Sequence, residues 1–157
     1  MIHNWFECKV RYEKTLENGL IKKVTEIYLV DALSFTEAEA RITKNMQPYI
    51  TGEFTVTAIK RANYSDLFDT QGGDKYYNCK VGFVTIDEKS AKEKRTYTHI
   101  LVTADNINEA EKHLVEGMKG TLADYETYTI DETKIMDIFP FEPETETEDK
   151  EVKQDNK

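Results

Sequence analysis

Two cysteines, three histidines and a single tryptophan in 157 residues leave little material for the commonest recognisable chemistries. Cys8 and Cys79 stand 71 positions apart, so no Cys-x-x-Cys pair offers a zinc site or a thiol-exchange site. His3, His99 and His113 fall at a terminus, in a strand and in a helix, with no metal-box spacing and no nucleophile–base pairing. Glycine is equally sparse. Gly72-Gly73 and the Gly117–Gly120 spacing lack the Lys-Ser/Thr and the strand–helix setting of a phosphate loop. Nor does any apolar run approach the roughly 20 residues of a membrane-spanning helix. The opening Met1-Ile2-His3-Asn4-Trp5 does not read as a secretory leader. With so few cysteines, these features lead to the expectation of a cytoplasmic protein without membrane, metal or cofactor.

Positive charge is in deficit as well: 21 basic residues stand against 30 acidic ones, a net charge of −9. The last 17 residues, 141–157, carry seven of the acids and three of the bases and almost nothing apolar, which predicts a disordered acidic tail. An acidic balance argues against duplex DNA or an anionic membrane meeting the surface as a whole, and leaves room for a local basic face. The hydrophobic fraction is a modest 39%, but seven Phe, nine Tyr and one Trp can fill a core.

What the chain does have is an internal repeat. Ser34-Phe35-Thr36-Glu37-Ala38-Glu39-Ala40-Arg41-Ile42 returns 72 positions later as Asn106-Ile107-Asn108-Glu109-Ala110-Glu111-Lys112-His113-Leu114. Each copy pairs a helix-capping residue with a Glu three places on, the capping-box spacing. Apolar residues follow at helical intervals: Phe35, Ala38, Ile42, Met46 and Ile107, Ala110, Leu114, Met118. Upstream, Phe6, Cys8, Val10 and Tyr12 alternate as in a half-buried strand and match Tyr77, Cys79, Val81 and Phe83 at an offset of 71. Asn18-Gly19 marks a hairpin turn, and a second strand from about Lys22 to Val30 matches Lys94 to Val102 at 72, so the second hairpin is one residue longer. Pro48 stops the first helix. Gly52 opens a third strand over about residues 53–61, and Tyr64-Ser65-Asp66-Leu67-Phe68 extends it or turns. Asp137-Ile138-Phe139 echoes Asp66-Leu67-Phe68 at 71.

The expected fold is α+β: two ββαβ repeats, 5–68 and 76–139, joined by a linker over 69–75 and related by a pseudo-twofold axis. A half of this size buries too little alone, so the repeats share one core within a single compact domain, 1–140. Antiparallel sheet, in one layer or two, would keep one face for the helices and one for water.

Asn4-Trp5-Phe6-Glu7-Cys8-Lys9-Val10-Arg11-Tyr12, Val30-Asp31-Ala32-Leu33-Ser34-Phe35-Thr36-Glu37-Ala38-Glu39-Ala40, Gly52-Glu53-Phe54-Thr55-Val56 and Ile59-Lys60-Arg61-Ala62-Asn63-Tyr64 resemble one domain family of unknown function. In the second half Glu116-Gly117-Met118-Lys119-Gly120-Thr121 and Ala123-Asp124-Tyr125 are similar to it too. The family is one of gut anaerobes and their phages and mobile elements. The resemblance spans roughly residues 3–140 and implies a phage or mobile-element setting, within a host cytoplasm, but no activity.

Cys8 and Cys79 read as small packed hydrophobes on equivalent strand faces. Glu37, Glu39, Glu109 and Glu111 read as caps and solvated helix faces, and no pair stands out as general acid and base. The most suggestive polar feature is the water side of the first strand of each repeat: Trp5, Lys9 and Arg11 in one copy, Tyr76 and Lys80 in the other. Lys22, Lys23, Lys94 and Arg95 open the neighbouring strands, and Lys60 and Arg61 close a third. Aromatics interleaved with cations on an open sheet suit single-stranded DNA or RNA, with rings for bases and cations for phosphates. Lys- and Arg-rich strands also serve simply to blunt sheet edges. The expectation is a non-enzymatic binding module for single-stranded nucleic acid. Two alternatives stand beside it: an interaction factor or inhibitor acting on a host or phage protein, and a small-molecule binder using a cleft between the repeats.

Overall fold

The computed structural model describes residues 3–141; the rest of the expected acidic tail, 142–157, lies outside them. The first repeat forms β1 (Trp5–Thr15), β2 (Ile21–Asp31), α1 (Phe35–Met46), β3 (Phe54–Ala62) and β4 (Tyr64–Phe68). The second forms β5 (Lys75–Ile86), β6 (Glu93–Ala104), α2 (Ile107–Gly117), β7 (Asp124–Glu132) and β8 (Ile135–Phe139). Two four-stranded sheets result, ordered β3-β1-β2-β8 and β4-β6-β5-β7.

The short strands β4 and β8 are the departure from a plain ββαβ repeat. Each leaves its own unit and joins the other's sheet, β8 parallel to β2 and β4 parallel to β6. Both sheets are therefore mixed, three antiparallel strands with one exchanged parallel strand. Tyr64–Phe68 neither extends β3 nor forms a turn; it is the exchanged strand. The ladders of the two copies otherwise agree in register. Cys8 lies opposite Tyr28 and Ile59, and Cys79 opposite Ile100 and Ile130. Even the β-bulge recurs, between Lys9 and Val10 on one side and between Lys80 and Val81 on the other.

Helix ends follow their caps. Ser34 Oγ accepts the Glu37 N–H at 3.1 Å and Asn106 Oδ1 accepts the Glu109 N–H at 2.9 Å. The glutamates reach back one residue further than the usual box, to the N–H groups of Leu33 and Asp105. Each helix is also tied to its sheet at the same point. Arg41 donates to the Asp31 carbonyl, and His113 Nδ1–H donates to the Thr103 carbonyl at 2.6 Å, equivalent groups at an offset of 72.

Apolar contacts sort into layers. α1 covers Phe6, Cys8, Val10, Tyr28 and Val30 through Ala38, Ile42 and Met46. α2 covers Cys79, Val81, Ile100 and Val102 through Leu114 and Met118. On the opposite faces Trp5, Leu29, Leu101 and Ile135 pack with Tyr64, Leu67, Tyr76 and Ile138 from both sheets. The layers thus run helix, sheet, sheet, helix. The faces expected to meet water meet each other over part of their length, and the space expected to hold a cleft between repeats is filled by this cluster. Alternation explains it. Trp5, Leu29, Tyr76 and Leu101 leave each sheet an apolar patch on its second face, and two such patches are best buried against one another.

Candidate nucleic-acid interface

β-strand side chains alternate between faces, so adjacent cations cannot act together on one surface. The cross-strand register separates the expected set. Lys9, Arg11, Lys23 and Lys60 lie on the first sheet's face away from α1, and Lys80 and Arg95 on the corresponding face of the second. Lys22, opposite Lys14, and Lys94, opposite Thr85, take the helix side. Arg61 does too: its guanidinium lies over the rings of Phe6 and Phe35, at 5.4 and 5.9 Å from their centres. These three do not belong to the open surface.

Neither do the two aromatics. Trp5 is only 3% exposed, stacked on His3 and covered by the second sheet. Tyr76 is half-buried in the same cluster, and its hydroxyl donates to Asp137 at 3.3 Å. Burial first, then the Asp137 charge, pushes that hydroxyl up to about 12. Both rings stand on the face expected; what the sequence did not disclose is that this end of the face is occupied.

Beyond the covered end, each second face stays open, and the second sheet carries the aromatics. Tyr97 and Tyr128 are 50% and 39% exposed, with ring centres 5.2 Å apart in an edge-on arrangement. Lys80 Nζ sits 4.7 Å above the Tyr97 ring. Arg95 donates to the Tyr128 hydroxyl and pairs with Glu126 at 3.2 Å. Gly82 makes room: a Cβ there would lie 2.5 Å from the Tyr128 ring. Tyr128 is the bulged residue of β7, left out of the pairing between Thr127 and Thr129. Asp124, Asp131 and Glu93 share its face by register, opposite Val84, Asn78 and Ile86.

The first sheet's open face is built of different residues at the same positions. Arg11 replaces Gly82, Lys23 replaces Arg95, Thr25 replaces Tyr97, Thr55 replaces Glu126 and Thr57 replaces Tyr128. Lys60 pairs with Glu7 at 3.7 Å. The side chains of Lys9, Arg11 and Lys23 make no ion pair or hydrogen bond among the described residues.

Tyr97 and Tyr128 were the residues missed by sequence reasoning. For Tyr97 the signal was plain alternation, which puts it on the face of Arg95; for Tyr128 it was the spacing Phe54-x-Val56-x-x-Ile59 and its echo Tyr125-x-Thr127-x-x-Ile130. A step of two followed by a step of three within a strand marks an extra, bulged residue, which turns its side chain to the open face.

Cys8 and Cys79 are fully buried, and burial pushes their thiols up to about 12 and about 11. His3 pairs with the buried Asp31, and His99 Nδ1 lies 3.0 Å from Asn78 Oδ1. Among the described residues no three His, Cys, Asp or Glu side chains group as a metal site requires, and no helix is long and apolar enough to cross a membrane.

Two ββαβ units, each sending one further short strand into the other's sheet and each with one half-open sheet face, define a duplicated α+β domain. Residues 4–141 match the DUF4494 domain of unknown function, and the chain belongs to that family. No curated protein and no solved structure matches it.

Proposed function

We propose that the protein is a non-enzymatic binding module that holds single-stranded nucleic acid on the open face of its second sheet, as an accessory protein of phage or mobile-element type. The observation that carries this reading is the Tyr97–Tyr128 pair with Lys80 over one ring and Arg95 on the other's hydroxyl. Exposed rings on a sheet give bases of any identity a surface to stack on, and neighbouring cations meet the phosphates. Lys80 needs only to swing off Tyr97 to do so. Trp5 has no part in this surface.

Fluorescence anisotropy of labelled single-stranded DNA and RNA, at low and near-physiological salt, tests it. Tyr97→Ala should lose about 1–3 kcal/mol of affinity, the range of one stacked base. Lys80→Ala should weaken all sequences alike and lower the salt slope by about one. Absence of saturable binding, or binding indifferent to Tyr97 and Lys80, would favour the second reading: an interaction factor or inhibitor taking a basic protein segment. Asp124, Glu126, Asp131 and Glu93 around the same rings support that alternative.

A further inference from the structure

The open faces of the two sheets differ in charge. On the first, Lys9, Arg11, Lys23 and Lys60 stand against Glu7, Glu13 and Glu53. Glu7 is taken by Lys60, and Glu13 and Glu53 lie at the outer end of the face. Lys9, Arg11 and Lys23 are exposed and make no ion pair or side-chain hydrogen bond among the described residues. On the second face, Lys80 and Arg95 stand against Glu93, Asp124, Glu126 and Asp131. An acidic segment is therefore drawn to the first face and repelled by the second.

The chain carries such a segment within reach. In Glu142-Pro143-Glu144-Thr145-Glu146-Thr147-Glu148 every second residue is a glutamate. Drawn out as a strand, it sets those carboxylates along one side about 7 Å apart, the spacing of Lys9 and Arg11 on β1. Its starting point is fixed: Arg41 donates to the Pro140 carbonyl at 3.1 Å and lies 5.0 Å from the centre of the Phe141 ring. Just before it, Phe139 pairs with Val30, level with Phe6. Lys9, Arg11 and Lys23 stand farther out on β1 and β2, about 10–23 Å from that level. Extended, residues 141–148 span about 23 Å and residues 142–157 about 50 Å. The route is open as well. β8 covers the edge of β2 only at residues 27–30, and no strand among the described residues pairs with residues 21–26 on that side.

We propose that the chain's own segment 142–149 folds back onto the open face of the first sheet, where its glutamates meet Lys9, Arg11 and Lys23. An exposed ion pair contributes little by itself. Tethering supplies the rest, since a short linker holds the acids near the cations at an effective concentration of the order of millimolar. Salt weakens the contact, because all of its charges are open to solvent. Its effect is to cover the more basic of the two open faces, so that an anionic partner has to displace it first. The contact lies on a different sheet from the strand-binding surface and does not depend on it.

A nitroxide label on Thr147→Cys reads this in the full chain. The substitution leaves the charge unchanged, and Cys8 and Cys79 are buried away from the labelling reagent. At low salt the amide signals of Lys9, Arg11, Lys23 and Thr55 should lose most of their intensity, and those of Tyr97 and Tyr128 should keep theirs. Salt at about 1 M, where the screening length falls to about 3 Å, should restore the lost signals. Lys9→Glu combined with Arg11→Glu should restore them at low salt. So should Glu144→Gln, Glu146→Gln and Glu148→Gln together, changes that lie outside the two sheets and leave the fold alone. Isotope-labelled chain without nitroxide, mixed with nitroxide-labelled chain without isotope, should show no loss. Loss in that mixture would assign the face to a second copy's tail and overturn the proposal. It is equally overturned by unchanged signals at the four residues, by equal losses on both sheets, or by losses that survive the charge changes.

Discussion

The two open sheet faces have the same backbone and opposite character. On the first, Lys9, Arg11 and Lys23 project beside threonines and make no ion pair or side-chain hydrogen bond among the described residues. On the second, the equivalent space is occupied by a tyrosine pair, with its cations engaged by rings and by Glu126. Everything beneath those faces is matched: the caps, the bulge, the Cys8 and Cys79 positions, the helix-to-carbonyl bonds of Arg41 and His113. The duplication therefore holds its scaffold fixed and varies what stands on the open half of each sheet. That contrast separates residues that make the fold from residues that give it something to do.

The largest effect should come from breaking the matched part. Leu29 and Leu101 are equivalent and buried between the sheets. Leu29→Ala and Leu101→Ala should each destabilise by about 2–5 kcal/mol, and by similar amounts. Because β4 and β8 are exchanged, neither sheet can unfold with its own strands alone. Denaturation followed by Trp5 fluorescence and by far-UV circular dichroism should give coincident transitions in both variants. Separate transitions would show two independently stable halves and end the argument from a shared scaffold.

Next in size is the alkaline side. The folded values of the two thiols stand above their ordinary value of 9.0, at about 12 for Cys8 and about 11 for Cys79, from burial first and a neighbouring carboxylate second. An unfolded chain would lose these protons near pH 9 while the folded one keeps them. Stability is thus complete below pH 9 and falls as pH rises toward the folded values. Each thiol contributes about 1.4 kcal/mol per pH unit within that window. Tm measured from pH 8 to 11 should fall, and Cys8→Ala should flatten the fall. Rapid reaction of either thiol with an exposed-thiol reagent in the native protein would contradict the burial on which this rests.

The repeat, the helices with their caps, the hairpins and the equivalence of Cys8 with Cys79 were legible in the sequence, because each follows from local periodicity or from a short-range offset. The exchange of β4 and β8 was not. Tyr64–Phe68 has the composition of a strand, but no local rule says which sheet a five-residue strand will join. The misplaced Trp5 follows from the same gap. Alternation puts it on the correct face, and only the long-range packing of the two sheets decides that this half of the face is dry. Lys22, Lys94 and Arg61 went astray for a simpler reason, since each sits next to a cation that does face outward and period two sends it the other way.

The smallest predicted effect addresses the contrast most directly. Tyr97 and Tyr128 are partly exposed, so burial accounts for little of what they contribute, and their mutual contact should be separable from it. Edge-on aromatic pairs are worth about 0.5–1.5 kcal/mol beyond their buried area. A double-mutant cycle with Tyr97→Ala and Tyr128→Ala, read from urea denaturation, should return a coupling in the lower part of that range. Lys80 and Arg95 will weaken rather than erase it, since each contacts only one of the two rings. The same cycle on Thr25 and Thr57, at the equivalent positions of the first sheet, should return a coupling near zero. Equal couplings in the two sheets would mean that the tyrosines merely hold β6 and β7 together. A coupling confined to the second sheet, together with loss of oligonucleotide binding in both the Tyr97 and the Tyr128 variant, would mark the pair as a surface prepared for a ligand, set on a scaffold that does not need it to fold.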